Sequence, residues 1–264
     1  MNINFKFLLL GTSLSLIPQY AAAQCAETDC LKLGYTKLEK CDNGLKCPFG
    51  EYWACPKTEE KAVLGQCTGY AKNCAIGQIL NSDGTCTTDK ESGKTPIGVV
   101  IAIKDNCGWA MTVSPVQKNI DWTITYVTPG SLKRMIYGQA IDDFDSCVNT
   151  QKIIQFGDAY KYPAAWAAFN YKPNTAPETN GMWCLPAAGV LHSLYNNLKV
   201  VNNTISRLNG IQINEENRYI WSSTICNAHS AWFFQIYGYG GLSSECNGDH
   251  TIGGNGAVRP VISF

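Results

Sequence analysis

The sequence predicts a mixed α+β domain in the C-terminal two thirds of the chain, and three observations support this fold class. Apolar runs typical of strands begin at Ile97. A helical pattern follows at 185–201, where leucines, tyrosine and valine recur at three- and four-residue spacing. Strand patterns return after Asn209-Gly210. Strands, then helices, then strands again indicate an α+β arrangement rather than a β-sandwich or a βαβ array.

The first 23 residues have the layout of a secretory signal peptide. Lys6 supplies a positive charge, an apolar run occupies 7–17, and small residues at 21–23 favour cleavage after Ala23. The apolar run is shorter than the ~20 residues that a membrane-spanning helix needs, and no later run is longer. We therefore predict no membrane span after signal cleavage, and a secreted, cell-surface or periplasmic location.

Residues 24–86 are predicted to form a small disulfide-rich module. Eight of the 13 cysteines lie between Cys25 and Cys86, in a stretch too short and too polar to bury a core by apolar packing alone. The sequence does not decide which cysteines pair. The odd total leaves at least one thiol unpaired, buried or bonded to another chain. Zinc is disfavoured because the chain has no Cys-x-x-Cys motif and only three scattered histidines.

A linker and the C-terminal domain follow this module. Residues 87–96 are polar apart from a closing proline and predict an exposed linker, which places the domain at 97–264. Within the domain we expect an amphipathic helix at 185–201, with Pro186 in its first turn, and shorter helices near 164–169 and 147–156. Six strands are expected, at 97–103, 109–113, 121–127, 219–224, 231–238 and 257–264.

The charge balance narrows the possible partners. Lys plus Arg equal Asp plus Glu at 21 each, without a block of like charge, so nucleic acid is not an expected partner. Charged residues make up 16% of the chain, below the ~25% typical of soluble domains. Such a surface binds through aromatic rings and amides rather than through ion pairs. Asn202-Asn203-Thr204 also matches a glycosylation sequon.

Four short motifs occur in a fixed order in the C-terminal domain. They read WCLP at 183–186, YIWSST at 219–224, AWF at 231–233 and VRPV at 258–261. Their arrangement resembles domain-of-unknown-function family 1566, the Lcl C-terminal domain, and the resemblance covers about residues 97–264. It implies a C-type-lectin-like fold, related to formylglycine-generating-enzyme-like domains and to the variable proteins that retroelements diversify.

The resemblance also implies an adhesin-like extracellular binding domain whose ligand surface is formed by the last strands and their loops. Most motif residues are expected to be structural. Trp221, Trp232 and Phe264 alternate into the apolar faces of their strands, because large rings are most often buried. Arg259, beside Pro260, is expected to satisfy main-chain carbonyl groups rather than to meet a ligand.

The candidate ligand-binding residues lie between the motifs, in loops rich in Asn, Ser, Tyr, Gly and His. Loops on a rigid scaffold often carry binding, and these residue types combine rings with adaptable hydrogen bonds. The candidates are Asn227, His229, Tyr237, Tyr239, Asn247, Asp249, His250 and Asn255. The structural alternative is a solvated, Gly-rich connection held by a Cys226–Cys246 disulfide.

Neither a metal nor a cofactor is expected at this surface. The Glu-Pro-Asn and Trp-Asn-Asp motifs of calcium-dependent lectins do not occur, and 142–145 and 247–249 fit turns better than calcium ligands. An enzyme of the formylglycine-generating type, a cysteine oxidase using Cys226 and Cys246, is the catalytic alternative, although no neighbouring base is evident. Hydrolase motifs are absent. The expected function is therefore non-enzymatic binding of a glycan or protein ligand, with a structural surface protein as a further alternative.

Overall fold

A computed structural model describes residues 37–38, 52–53, 62–67, 69–125, 127–214, 219–236, 241–242 and 256–264. The chain divides into two compact units, Met1–Lys57 and Thr58–Phe264. In the first unit, the described residues are two short antiparallel strands, β1 (Lys37–Leu38) and β2 (Tyr52–Trp53). The signal peptide predicted at 1–23 lies outside the described residues.

Two sheets organise the second unit, and five described strands form the first of them. The strand order is β12-β6-β5-β3-β4, and every pairing is antiparallel. Its strands are β3 (Ile79–Asn81), β4 (Cys86–Thr87), β5 (Pro96–Lys104), β6 (Cys107–Met111) and β12 (Val261–Ser263).

The second sheet also contains five described strands, in the order β10-β9-β8-β11-β7. Only the β8–β11 pairing is parallel. Its strands are β7 (Gln117–Ile120), β8 (Tyr219–Ile225), β9 (Ala231–Gln235), β10 (Gly241–Leu242) and β11 (Gly256–Val258). Arg259 and Pro260 separate β11 from β12, so the chain passes from the second sheet to the first at this dipeptide.

Five described α-helices accompany the sheets, together with 3₁₀ turns at Tyr70–Asn73 and Pro177–Thr179. They are α1 (Tyr137–Ala140), α2 (Ser146–Phe156), α3 (Pro163–Phe169), α4 (Ala188–Asn196) and α5 (Leu198–Arg207). The predicted mixed α+β class is confirmed, as are the helices expected near 147–156 and 164–169. The helix expected at 185–201 is instead two helices that meet at Asn197.

The largest apolar cluster joins α4 and α5 to both sheets. Leu191 and Leu194 of α4 and Val201 of α5 pack with Ile101 of β5 and Phe234 of β9, and all five side chains are fully buried. Complete burial of one such side chain contributes about 1.5–3 kcal/mol to stability. Periodic apolar residues therefore fix α4 and α5 against the sheets.

Each sheet also buries a second face. On the second sheet, Trp221 and Phe233 pack with Ile153 of α2 and Ala165 of α3. Adjacent residues of β8 and β9 therefore enter different clusters, because successive strand side chains point to opposite faces. On the first sheet, Phe264 joins a third cluster with Trp183 and Val100.

Residues 62–87 are part of the second compact unit, which begins before the boundary predicted at 87–96. Strand β3 supplies the fully buried Ile79 and Leu80 and pairs directly with β5. A disulfide joins Cys67 to Cys107 of β6, and another joins Cys74 to Cys86. Strand pairing and a cross-link thus attach the end of the predicted cysteine-rich module to the first sheet.

The strand predicted at 121–127 is wrong for the residues that the structure describes, because β7 ends at Ile120 and a turn-rich segment follows. Trp122 is buried there, and its indole N–H donates to the Ser222 carbonyl at 2.7 Å. Across the described residues, the helices are all too short or too polar to cross a membrane.

Candidate functional site

The motif residues expected to be structural are buried. Trp221, Trp232 and Phe264 are 2%, 3% and 0% exposed. The Trp221 indole N–H donates to the Ile120 carbonyl at 2.8 Å, which joins β8 to the end of β7. These rings are therefore buried in the framework beneath the loops, as predicted.

Arg259 is fully buried and binds main-chain carbonyl groups, which confirms its predicted role. Nη1 donates to the carbonyls of Thr112 and Val113 at 3.4 and 3.3 Å, and Nη2 donates to that of Ile211. Burial lowers the pKa of Arg259 to about 10, so the side chain remains charged at neutral pH. This one cation connects the start of the β6–β7 loop, the segment after α5 and the junction of β11 with β12.

The loop between β8 and β9, residues 226–230, contains two of the predicted ligand-binding residues. Its ends are joined by a hydrogen bond from the Cys226 N–H to the Ser230 carbonyl at 2.9 Å. Asn227 Oδ1 accepts the His229 N–H at 2.7 Å, an Asx turn that fixes the loop backbone. The His229 side chain is exposed and Asn227 is half-buried. The structure thus brings Asn227 and His229 together at one end of the second sheet.

Cys226 is disulfide-bonded. Its predicted partner, Cys246, lies outside the described residues, so the Cys226–Cys246 pairing stays a prediction. A cysteine oxidase mechanism needs a thiolate at the reacting sulfur. The sulfur of Cys226 is already committed to a covalent bond, and this disfavours the catalytic alternative at that residue.

A second segment lies against this loop. The Thr128 N–H donates to the Ala228 carbonyl and its hydroxyl donates to the Asn227 carbonyl, both at 3.0 Å. Further along, the Met135 N–H donates to the Ile225 carbonyl at 3.0 Å, and Arg134 forms an isolated parallel bridge with Ile225. Residues 128–135 therefore support the end of β8 and the loop that follows it.

Two exposed side chains directly after this segment were not predicted from the sequence. Ile136 is 73% exposed and Tyr137 is 42% exposed, the first directly before α1 and the second at its start. The Tyr137 ring lies edge-on to Trp232 and His192, with centroid distances of 6.0 and 6.4 Å. The sequence gives no sign that Ile136 and Tyr137 lie near the 226–230 loop. The bridge that brings them there joins Arg134 to Ile225, which are 91 positions apart (225 minus 134).

Asp143, in a stretch considered as a source of calcium ligands, is a buried structural carboxylate. Its Oδ2 accepts the Thr224 hydroxyl at 2.6 Å and the Asn149 amide at 2.9 Å. Its Oδ1 accepts the Asp145 N–H at 3.0 Å. These bonds attach β8 to the start of α2 and occupy both carboxylate oxygens.

The remaining predicted ligand-binding residues lie outside the described residues and stay predictions. They are Tyr237, Tyr239, Asn247, Asp249, His250 and Asn255.

No protein-family model matches the chain, and no curated protein matches it. One solved structure that is distantly similar is a fimbrial protein from Bacteroides ovatus, with a TM-score of 0.49 and 15% sequence identity. The similarity covers 72% of this chain and 49% of the fimbrial protein, so it spans about half the length of that protein. Membership of family 1566 and a C-type-lectin-like topology remain predictions from the sequence motifs.

Proposed function

We propose that this chain is a secreted or cell-surface binding protein that recognises a glycan or protein ligand with the 226–230 loop and its neighbours. The observation that carries the proposal is the way this loop is held. Hydrogen bonds from Thr128, an internal Asx turn and a disulfide at Cys226 fix its backbone, while His229 remains exposed. A polar loop fixed on a buried scaffold binds with little loss of conformational entropy.

Export is part of the same proposal. The disulfides Cys67–Cys107, Cys74–Cys86 and Cys147–Cys184 are consistent with an oxidising compartment. The signal-peptide pattern at 1–23 supports secretion, cell-surface attachment or a periplasmic location. An unpaired cysteine linking two chains is a corollary that non-reducing electrophoresis tests directly, because a dimer band that disappears with reductant supports it.

We also propose that residues 97–264 adopt a C-type-lectin-like topology within the family that their motifs resemble. The burial of the motif residues supports this, because Trp221, Trp232, Arg259 and Phe264 all lie inside the scaffold. An experimental structure tests it. A topology other than the C-type-lectin arrangement of strands would contradict the family proposal without affecting the binding proposal.

Binding is tested with the whole mature chain on glycan and extracellular-protein arrays. A ligand that binds the parent should bind the Asn227→Ala/His229→Ala variant about tenfold more weakly, since loss of one or two well-placed contacts costs about 1–2 kcal/mol. The melting temperature should stay within about 4 °C, because His229 is exposed and the half-buried Asn227 accepts a hydrogen bond from within the same short loop.

The matched control replaces exposed polar residues elsewhere, Asn196→Ala/Asn203→Ala, and it should leave binding unchanged. Equal binding by the parent and the loop variant would contradict the assignment of the site.

A further inference from the structure

We propose that the ligand of this site is an acidic protein segment, and that residues 131–137 provide the surface on which it docks. This inference rests on the proposed function, because residues 131–137 adjoin the 226–230 loop. It goes further by naming the partner class and the residues that select it. Three properties support it, namely a fixed backbone, exposed apolar side chains and exposed cations.

The backbone of the docking segment, residues 131–137, is anchored to both faces of the second sheet. Leu132 is 6% exposed and packs with the cluster beneath α2 and α3, whereas Met135 packs against the cluster beneath α4. The Met135 carbonyl also accepts the Trp232 indole N–H at 3.0 Å. With these side chains directed inward, Lys133, Arg134 and Ile136 are exposed.

The apolar part of the surface is Ile136 together with Tyr137. Ile136 lies uncovered at 73% exposure, and the Tyr137 ring is packed between Trp232 and His192. A ring held in place before binding loses little entropy when a partner covers it. Tyrosine and arginine are the residue types enriched where binding energy concentrates, and here Arg134 and Tyr137 lie three residues apart.

The charge of the segment selects the partner. The described ion pairs use Lys94, Lys104 and Arg207, and none involves Lys133 or Arg134. Residues 131–137 contain no acidic side chain. The chain as a whole has no net charge, so this local positive surface is not a consequence of a general excess. Opposite charge on the partner accelerates association and selects against basic partners.

A protein segment fits this surface better than an acidic glycan. Ile136, the more exposed of the two apolar side chains, is branched and aliphatic and matches an apolar side chain of a peptide, whereas the flat Tyr137 ring that a sugar could stack on is less exposed, at 42%. The guanidinium of Arg134 can bind an Asp or Glu carboxylate through two parallel hydrogen bonds. The expected ligand is therefore an aromatic or aliphatic anchor flanked by acidic residues.

The test is a selection of displayed random peptides against the whole mature chain. We expect enriched peptides to combine Asp or Glu with one large apolar residue. A synthetic consensus peptide should then bind in a fluorescence-polarisation assay, and more weakly at about 0.3 M than at about 0.05 M NaCl, because salt screens exposed charges. Ile136→Ser and Lys133→Glu/Arg134→Glu should each weaken this binding about tenfold or more.

Matched controls separate the docking segment from general effects. Val148→Ser changes an exposed aliphatic residue, and Lys172→Glu/Lys199→Glu makes the same change in net charge at exposed positions elsewhere. Both controls should bind the consensus peptide like the parent. Equal loss in controls and test variants would overturn the proposal.

Other outcomes also overturn the proposed partner. Enriched peptides without acidic residues, or no enrichment, would do so, as would binding of heparin or a sialylated glycan that depends on the same two cations. A ligand lost in Asn227→Ala/His229→Ala but retained in Lys133→Glu/Arg134→Glu would preserve the proposed function and reject this inference. Loss in neither variant would reject both.

Discussion

Arg259 and Thr128 have similar roles in different surroundings. Each uses one side chain to bind main-chain carbonyls of a distant segment, Arg259 those of Thr112, Val113 and Ile211, and Thr128 that of Asn227. Arg259 is fully buried in the framework, whereas Thr128 supports a loop whose residue His229 is exposed.

The difference lies in what replaces the bond when it is lost. Thr128 is 5% exposed, but the Asn227 residue that accepts its hydroxyl is only half-buried, so water can replace part of the lost bond and the cost there is smaller and local. The Arg259 guanidinium and its bond to the Thr112 carbonyl are buried, and an unsatisfied buried polar group costs about 1–3 kcal/mol. Loss of the Arg259 side chain should therefore lower the stability of the whole fold. Loss of the Thr128 hydroxyl should mainly loosen the 226–230 loop. Four substitutions test this comparison.

The largest effect is expected at the buried cation. Arg259→Met removes a buried guanidinium and its bonds to three main-chain carbonyls, and it should lower the free energy of unfolding by about 3 kcal/mol, because each lost bond costs about 1 kcal/mol or more. Urea denaturation measures the change. The control is Arg207→Met, which removes the exposed pair with Asp89 and a part-buried bond to the Thr204 hydroxyl oxygen and should cost less than about 1 kcal/mol. Similar losses for both variants would contradict the comparison.

A smaller effect is expected at Asn202, which holds the segment that supplies one of these acceptors. Its Nδ2 donates to the Ile213 carbonyl and its Oδ1 accepts the Ile213 N–H, both at 2.8 Å. Asn202→Ala should cost about 1–2 kcal/mol in thermal or urea unfolding. Exposed Asn203 is the neighbouring control and should cost less than about 0.5 kcal/mol when changed to Ala.

The same bonds bear on the sequon formed by Asn202, Asn203 and Thr204. Both amide atoms of Asn202 are engaged, and the Thr204 hydroxyl is buried, donating to the Gly77 carbonyl at 2.6 Å. Asn202 and Thr204 of the sequon therefore make structural hydrogen bonds in the folded chain. Equal stability of the Asn202→Ala and Asn203→Ala variants would refute this role.

The effect at Thr128 should be about 1 kcal/mol and confined to the loop. Thr128→Val keeps the shape and the N–H bond to Ala228 but removes the hydroxyl that donates to Asn227. Amide hydrogen exchange should become faster at 226–230 while the framework strands keep their protection. Thr175→Val, at an exposed position, is the control. Faster exchange throughout β8 would instead place Thr128 in the framework.

The smallest effect on stability is expected at Ile136. Because its side chain is 73% exposed, Ile136→Ser should change the free energy of unfolding by less than about 0.5 kcal/mol. Unfolding measured beside the binding assay separates docking from folding. A loss above about 1 kcal/mol would show that Ile136 is a framework residue and would remove its assignment to the surface.

Much of the fold was predictable where one segment carries its own pattern. The apolar run at 97–103 and the strand patterns at 219–224 and 231–238 predicted β5, most of β8 and β9, because the pattern of a strand is local. The strand predicted at 121–127 was wrong because the prediction used only local composition, and β-branched and aromatic residues suit a strand. Trp122 instead leaves the sheet edge to bind the Ser222 carbonyl, 100 residues away.

The candidate site was predictable only in part. The polar composition of 225–230 indicated Asn227 and His229, and the structure holds both in one loop. Ile136 and Tyr137 gave no comparable signal. Their position depends on the bridge between Arg134 and Ile225, which no local pattern encodes.

The sequence by itself determined the α+β class, the helices α2 and α3, and the buried roles of Trp221 and Arg259. These features follow from the type of each residue and the spacing of its near neighbours. Only the tertiary structure decided that residues 62–87 join the first sheet and that residues 128–135 support the 226–230 loop. These contacts are strand pairings, disulfides and main-chain hydrogen bonds between segments far apart in the sequence. Local residue patterns do not encode them, because they form only when folding brings the two segments together.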